Sequence, residues 1–382
     1  MAHVVILGGG FGGLAAAHEL RGLLDDGDEV TLVDRNDTFF MGFAKLWDLA
    51  GVRPLAEGSV SLTRLADRGV RFVQADITSI DPERRVVETS DGSLEADALL
   101  VALGAGPSPA HVDLLRGDGA HDLYDAAALP AMHRDLDAVD GGRIVVSILG
   151  GPIKCPPAPF EAALLIDERM RERGVRDDVE IVMSTPQAMT IPVAGPDASR
   201  YVADHLAERG IELLSEHAVR DVDAGARRIS FQDGPDVEYR LFFGVPATAP
   251  PPVLKDSGLG DDQGFVRPDP STFRTSFDRV YAVGDCTTVP TAKAALPKAG
   301  VFAAGEARVA AANIAADLGR GEGATFDGHG FCFLELPGRK VAFVEGNFYG
   351  DPPDVHITEA DDEQFERKQA YERERLGLWL GA

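Results

Sequence analysis

Val4-Val5-Ile6-Leu7-Gly8-Gly9-Gly10-Phe11-Gly12-Gly13 opens the chain, and its reading decides the fold. A short unbroken apolar run is the mark of a strand buried on both faces of a parallel sheet. Gly8, Gly10 and Gly13 then fall on the G-x-G-x-x-G spacing, and residues 14–24 read as a helix. Asp34 closes the next apolar run, at the distance from the last glycine where such a site places its acid. Glycine at those positions lets backbone N–H groups reach a diphosphate at the helix N-terminus, and the acid accepts hydrogen bonds from ribose hydroxyls. The glycines alone would be weak evidence. Strand, glycines, helix and acid together indicate a dinucleotide site. A glycine turn in an unrelated α/β unit is the competing explanation.

A second strand–turn–helix begins at residues 143–149, with Gly150-Gly151-Pro152-Ile153-Lys154-Cys155-Pro156-Pro157-Ala158-Pro159-Phe160-Glu161 as its turn and a helix expected over 160–173. Pro152 and Cys155 stand where the third and sixth positions of the fingerprint need glycine. The following strand, 179–183, runs into Ser184 and Thr185, not into an acid. With both halves of the fingerprint missing, nicotinamide dinucleotide binding is not expected there. The loop presents a cysteine on a proline-stiffened turn. The helix behind it should lower the Cys155 pKa through its N-terminus. Glu161, within a turn of Cys155, is a candidate for proton handling or simply an acid that favours the helix dipole. For Cys155 itself the plain alternative is a buried inert thiol.

Between these units, residues 39–47 (FFMGFAKLW) carry aromatic rings and one cation, Lys45, and read as the lining of a flat ring system or as a packed connection. Residues 70–75, 85–88 and 98–103 read as strands, the last closed by a Gly104-Ala105-Gly106-Pro107 turn. Residues 108–140 read as a helical connection. Residues 211–214, 228–231 and 239–245 complete the second unit or return to the first, and 246–252 form a Pro-rich crossover. Residues 280–283 form a strand ending Gly284-Asp285-Cys286. A long Ala-rich helix over 301–318 follows Pro297-Lys298-Ala299-Gly300. The C-terminal stretch holds Phe331-Cys332-Phe333, strands near 341–345, and a charged helix over 361–375 with an apolar tip, Leu378-Trp379-Leu380.

The chain has 382 residues, enough for two or three full cores, and a formal net charge of -25. Such a charge argues against nucleic acid and against electrostatic docking to anionic lipid. No apolar run is long enough to span a bilayer, and no signal peptide precedes the first strand, so a cytoplasmic location is expected, with peripheral membrane contact left open. Three cysteines in so long a chain are no stabilising framework. No metal site is expected.

In their order, Gly-Gly-Gly-Phe-Gly-Gly, Lys154-Cys155-Pro156-Pro157-Ala158-Pro159-Phe160-Glu161, Val283-Gly284-Asp285-Cys286, Pro297-Lys298-Ala299-Gly300 and Phe331-Cys332-Phe333 resemble the sulfide:quinone oxidoreductases and the flavin subunit of flavocytochrome c sulfide dehydrogenase. The resemblance covers nearly the whole chain. It implies an α/β fold with two Rossmann-like dinucleotide-binding domains of glutathione reductase type and a small C-terminal α+β domain. Residues 1–107 and 241–320 would form a discontinuous FAD domain, 108–240 the second domain and 321–382 the third. Gly8, Gly10, Gly13 and Asp34 would hold the ADP half of FAD, Ile77 would face the adenine, and Gly104, Gly284 and Asp285 would contact the cofactor further along. Lys298 and the N-terminus of the helix after Gly300 would stabilise the reduced flavin's charge.

The same resemblance makes Cys155 and Cys332, far apart along the chain, the redox pair. Hydrosulfide would attack their disulfide or sulfur bridge, sulfane sulfur would build up on Cys155, and two electrons would pass through FAD to a quinone. Cys286 would be a small buried residue. Two departures stand out. No third cysteine lies between residues 104 and 154, and none lies near 39–43 to link the flavin, so FAD should be non-covalent. Of the histidines some relatives use for quinone, only His133 has a counterpart. Phe331, Phe333 and the tip at Trp379 would suit a quinone and a shallow membrane contact; the tip would serve equally as a dimer contact. Two alternatives remain: an NAD(P)H:quinone reductase of type II NADH dehydrogenase kind, and a non-catalytic FAD-binding persulfide carrier.

Overall fold

The computed structural model describes residues 1–382 apart from Lys293 and Pro352. The chain opens with β1 (His3–Leu7), α1 (Phe11–Leu23), β2 (Glu29–Asp34), β3 (Arg71–Gln74) and β4 (Ala98–Val101). It continues with β5 (Ala120–Asp122), β6 (Gly142–Ile148), α2 (Ala158–Glu172), β7 (Val179–Ser184), β8 (Glu212–Leu214) and β9 (Leu241–Val245). β10 (Val280–Ala282) and α3 (Gly300–Asp317) follow. The C-terminal part holds β11 (His329–Leu336), β12 (Lys340–Asn347), β13 (Asp354–Ile357) and α4 (Asp362–Leu380).

Two five-stranded parallel sheets result, in the orders β10-β4-β1-β2-β3 and β5-β9-β6-β7-β8. A third, antiparallel sheet runs β11-β12-β13. This is the α/β architecture expected from the sequence. Two details differ. Leu241–Val245, which begins the return to the first domain in the expected division, is an inner strand of the second sheet, next to β6. Residues 108–140 are not purely helical: Ala120–Asp122 pairs with Phe242–Gly244 at that sheet's edge. So short a strand shows no period in sequence. The two crossings between the units pair with each other, Gly106 with Ala249 and Pro107 with Thr248.

Burial accounts for the elements. β1, β4 and β6 are apolar on both faces because both faces are covered. α1 packs against α3 through small residues, Ala15, Ala16 and Ala17 on one and Ala307, Ala310 and Ala311 on the other, all buried. Small side chains let two helix axes approach closely, which fixes α3 over the glycine turn. α2 starts at Ala158-Pro159; proline is tolerated in a first turn, where its missing N–H has no helical partner anyway. It is buried almost all round, wedged between β6 and β7 on one side and β11 and the short helix Ala44–Leu49 on the other.

α4 is longer than the charged stretch alone suggests, and the apolar tip is its last turn. Trp379 and Leu380 are buried, the indole meeting Phe11 at 5.8 Å and Phe39 at 6.0 Å between ring centroids. The tip read as a membrane or dimer contact therefore packs into the chain's own core, with only Leu378, at 39% exposure, turned outward. Among the described residues no helix is long and apolar enough to cross a membrane.

Candidate active site

The first glycine turn is shaped by close approach. A Cβ on Gly13 would fall 1.8 Å from the Gly8 carbonyl oxygen, and one on Gly8, whose φ is +108°, would fall 2.3 Å from the Ala102 oxygen. Around Gly10, by contrast, nothing lies within 4 Å of where a Cβ would be, so the turn is open on the side a diphosphate would take. Asp34 stands at the end of β2 and accepts the N–H of Gly9 at 2.6 Å and that of Asn36 at 2.8 Å. Open space at Gly10, crowding at Gly8 and Gly13, and a carboxylate beside the turn fit a dinucleotide. Ile77 lies just past β3, the neighbour of β2, and opens a small antiparallel sheet. Gly104, at φ +63°, and Gly284, at φ +77°, sit beyond the ends of β4 and β10 on the same edge.

The loop before α3 closes that edge. Lys298 donates from Nζ to the carbonyls of Asp285 and Thr287, at 2.8 and 2.7 Å, and lies 4.1 Å from the Phe265 ring centre. Burial lowers its pKa, and burial raises that of Asp285. Under both, Glu306 of α3 accepts the Gly284 N–H at 2.6 Å, and burial pushes its carboxyl up to about 7. Lys298, Asp285, Gly284 and Glu306 line one small cavity. Cys286 is fully buried, its thiol pushed up to about 12 by burial, as a packing residue would be.

Cys155 sits on this loop's other side. Its N–H donates to the Lys298 carbonyl at 2.7 Å, and its own carbonyl accepts from Ala158 at 2.9 Å and from the Tyr124 hydroxyl at 3.3 Å. The backbone at Cys155 is left-handed, φ +44°, a conformation non-glycine residues rarely adopt. Cys332 comes near enough to Cys155 to perturb its thiol, while the Cys332 thiol donates to the Phe333 carbonyl at 3.7 Å. Both are free and half-buried. The thiol contact, burial and the charge of Glu161 raise the Cys155 pKa well above its usual value, with Lys368 opposing. This reverses the lowering expected from the α2 N-terminus. The N–H of Ala158 is taken by the Cys155 carbonyl, and the second thiol dominates the surroundings. Lys45 approaches from the other side: its Nζ donates to the Tyr124 carbonyl at 2.6 Å, and burial, with Lys154 nearby, lowers its pKa to about 8.

Glu161 is 1% exposed and accepts the Glu335 N–H at 2.6 Å. Burial pushes it up to about 7 against the pull of Lys368, whose Nζ is 3.8 Å away. Lys368 in turn donates to Glu335 Oε2 at 2.6 Å, and the Trp47 indole donates to the same oxygen at 2.7 Å. Sequence reading missed Lys368 and Glu335. Lys368 looks like one more charge on a charged helix; Glu335 was discoverable as an acid within the otherwise apolar run 330–336. Phe331 and Phe333 lie on the strand face opposite Cys332, packed with Phe343 and Tyr371. His133 is held between Asp48, at 2.6 Å, and Arg169, at 2.9 Å, an arrangement that suits a structural link between helices.

In the second unit the nucleotide place is filled. A Cβ on Gly150 would meet the His111 ring at 2.6 Å, and that ring accepts the Ala247 N–H at 3.0 Å. β7 ends on Ser184, bonded to Ser147 at 2.6 Å, with both hydroxyls buried.

One open dinucleotide cradle and one filled one, on two parallel sheets of the same design, point to a two-unit oxidoreductase. The chain belongs to the pyridine nucleotide-disulphide oxidoreductase family, whose model matches residues 2–300. Family and site together imply a flavin cofactor. The likeness to sulfide:quinone oxidoreductases read from the motifs is borne out. The mitochondrial sulfide:quinone oxidoreductase of Dictyostelium discoideum is 26% identical over 311 residues, 76% of this chain and 67% of that protein. A demethylphylloquinone reductase of Synechocystis is 29% identical over 304 residues, covering 74% and 71%. The solved structure of the sulfide:quinone oxidoreductase of Aquifex aeolicus superposes with a TM-score of 0.88 at 24% identity, over 100% of this chain and 92% of that one.

Proposed function

We propose that the protein oxidises sulfide to sulfane sulfur through Cys155 and Cys332, with non-covalently bound FAD, and delivers the electrons to a quinone. One observation supports the reading: Cys155, on the second parallel sheet's turn, is bonded to the loop that holds Lys298, and Cys332 of the antiparallel sheet, remote in sequence, perturbs its thiol. In the oxidised pair, hydrosulfide attacks the Cys155 sulfur of the disulfide. The S–S bond to Cys332 breaks, a new S–S bond forms on Cys155, and Cys332 leaves as a thiolate. Glu161 takes the proton of the incoming sulfur. Lys45 and Lys154 offset the anionic charge that accumulates there. Bound FAD supplies the acceptor of the electron pair, and Lys298 with the α3 N-terminus stands where positive charge favours it.

The Synechocystis relative, named a demethylphylloquinone reductase, leaves room for a second reading of this chain, a quinone reductase fed by a nicotinamide. His111 against Gly150 and the missing acid at Ser184 speak against it. Anaerobic mixing decides: sulfide should bleach the flavin absorbance in a rapid phase and NADH should not. Rapid bleaching by NADH alone would sink the proposal. Bleaching by sulfide without turnover on a soluble quinone would leave a persulfide carrier.

A further inference from the structure

Lys368 carries one positive charge into a place where two carboxylates meet. Glu161 comes from α2, Glu335 from β11 and Lys368 from α4, and each is 1% exposed. None can be screened by water, so their mutual contacts decide which is ionised. Lys368 and Glu335 make a closed pair at 2.6 Å, to which the Trp47 indole adds a second donor. Glu161 has the weaker share: one backbone N–H at 2.6 Å and the ammonium at 3.8 Å. Its charge and that of Lys368 both reach Cys155. An uncompensated carboxylate so placed would stay protonated at neutral pH and could accept nothing.

We propose that Lys368 is a positioning residue for the thiol pair: its ammonium, shared between Glu335 and Glu161, keeps a share of Glu161 anionic at neutral pH and so able to take a proton beside Cys155. The neighbouring charges support this division. Facing Glu161 are Lys368, Glu335, Cys155 and, from the other side of the thiol, Tyr124. Beyond Cys155 lie Cys332 and Lys45, the latter already bonded to the Tyr124 carbonyl. One turn along α4, Glu372 is paired with Arg53, and Lys368 acts on it more weakly than Arg53 and Arg373 do. Burial lowers the Lys368 pKa, but Glu335 and Glu161 outweigh it and the net direction is up, so the ammonium is charged throughout the working range.

The inference rests on the proposed reaction for its purpose, not for its test. The reduced, flavin-loaded protein is alkylated with iodoacetamide from about pH 5.5 to 9, and the Cys155 peptide is followed by mass spectrometry. As Glu161 ionises it gains the capacity to take the Cys155 proton while its charge disfavours the thiolate, so the wild-type rate should show an inflection near the Glu161 titration, about 7, and Glu161→Gln should remove that inflection. Lys368→Met should move it up by about one unit or more, and Lys368→Arg should restore it. Glu335→Gln, which keeps the acceptor for Trp47 and Lys368 but loses the repelling charge, should move it down. A role in packing alone would not give opposite shifts. If Lys368→Met does not fold, Glu335→Gln and Lys368→Arg decide. An inflection unmoved by Lys368→Met and Glu335→Gln, or one that survives Glu161→Gln, overturns the inference. If the shifts occur and sulfide still fails to bleach the wild-type flavin, the proposed reaction falls and the role of Lys368 stands.

Discussion

The two parallel sheets are built alike and differ at one turn. In the first, β1 leads into Gly8–Gly13, where a Cβ at the third glycine would strike backbone at 1.8 Å and the space over Gly10 is open. In the second, β6 leads into Gly150 and Gly151, then Pro152 and Cys155, and the His111 ring covers the first glycine. The strands, which bury apolar surface, have kept their arrangement; the turn, which carries no core, has changed its chemistry. A fold of this kind separates scaffold from site. On the proposed reading, one unit would hold the ligand by its backbone and the other would offer it a sulfur.

The sharpest way to break that division is to damage each turn separately. Cys155→Ser and Cys332→Ser should leave the flavin-to-protein ratio unchanged while slowing sulfide-driven bleaching by about a thousandfold or more, as expected for loss of a nucleophile. Gly13→Ala should do the reverse, losing flavin because the Gly8 oxygen cannot yield. Absorbance at the flavin band after purification and stopped-flow mixing measure the two outcomes. Loss of flavin in Cys155→Ser would show that the units are not separable in this way.

A smaller effect is expected at Asp34. Its carboxylate serves the turn as well as a ribose, since it accepts the Gly9 N–H at 2.6 Å. Asp34→Ala should weaken flavin binding by about ten- to a hundredfold, in line with about 1–3 kcal/mol for a hydrogen-bonded charged group. Titration of cofactor-stripped protein with FAD checks it. Opening the second turn by His111→Ala should not confer reduction by NADH, because Ser184 supplies no carboxylate for a ribose. A fast NADH phase in that variant would mean that one side chain alone keeps the second unit silent.

Both parallel units were legible in the sequence because buried parallel strands are written as unbroken apolar runs and glycines mark turns that tolerate nothing else. Cys155, Glu161 and Asp34 could be named for the same local reason: each stands at a fixed offset from a strand or a turn. Lys298 could be named through the family resemblance. What local pattern cannot contain is who meets whom. β5 is too short to show a period. Leu241–Val245 belongs to the second sheet through pairing with Ile144–Ile148, far earlier in the chain. The Cys155 pKa turns on a thiol from another sheet, and Lys368 gains its meaning only from Glu161 and Glu335, carboxylates carried by other elements. His111 covers Gly150 from a stretch that reads as linker. Trp379 looks like a free apolar tip until the helix before it is laid along the first glycine turn.

The finest test of the comparison uses one buried carboxylate from each half of the site. Glu306 accepts the Gly284 N–H, Glu161 accepts the Glu335 N–H, both at 2.6 Å, and burial holds both near 7. A folded pKa above the unfolded value means that the native state binds the extra proton. Stability from each group is therefore full below the unfolded carboxylate pKa, about 4.5, falls as pH rises toward 7, and levels off above it. Asp28, held down near 2 chiefly by Arg320, titrates below this window and does not oppose it. Each glutamate alone contributes a decline of about 3 kcal/mol at most. The Lys368 ammonium is 3.8 Å from Glu161, whereas Lys298 is bonded to the carbonyls of Asp285 and Thr287 and acts only weakly on Glu306, so the two should respond differently to neutralisation. Glu306→Gln keeps an acceptor for Gly284 and removes a weakly compensated buried charge, so it should raise the melting temperature at pH 8 and change it little at pH 5. Glu161→Gln leaves Lys368 paired with Glu335 and should raise it less. Thermal unfolding of both variants at pH 5 and pH 8 measures the contrast. Equal gains would mean that Lys368 does not distinguish the thiol side from the flavin side.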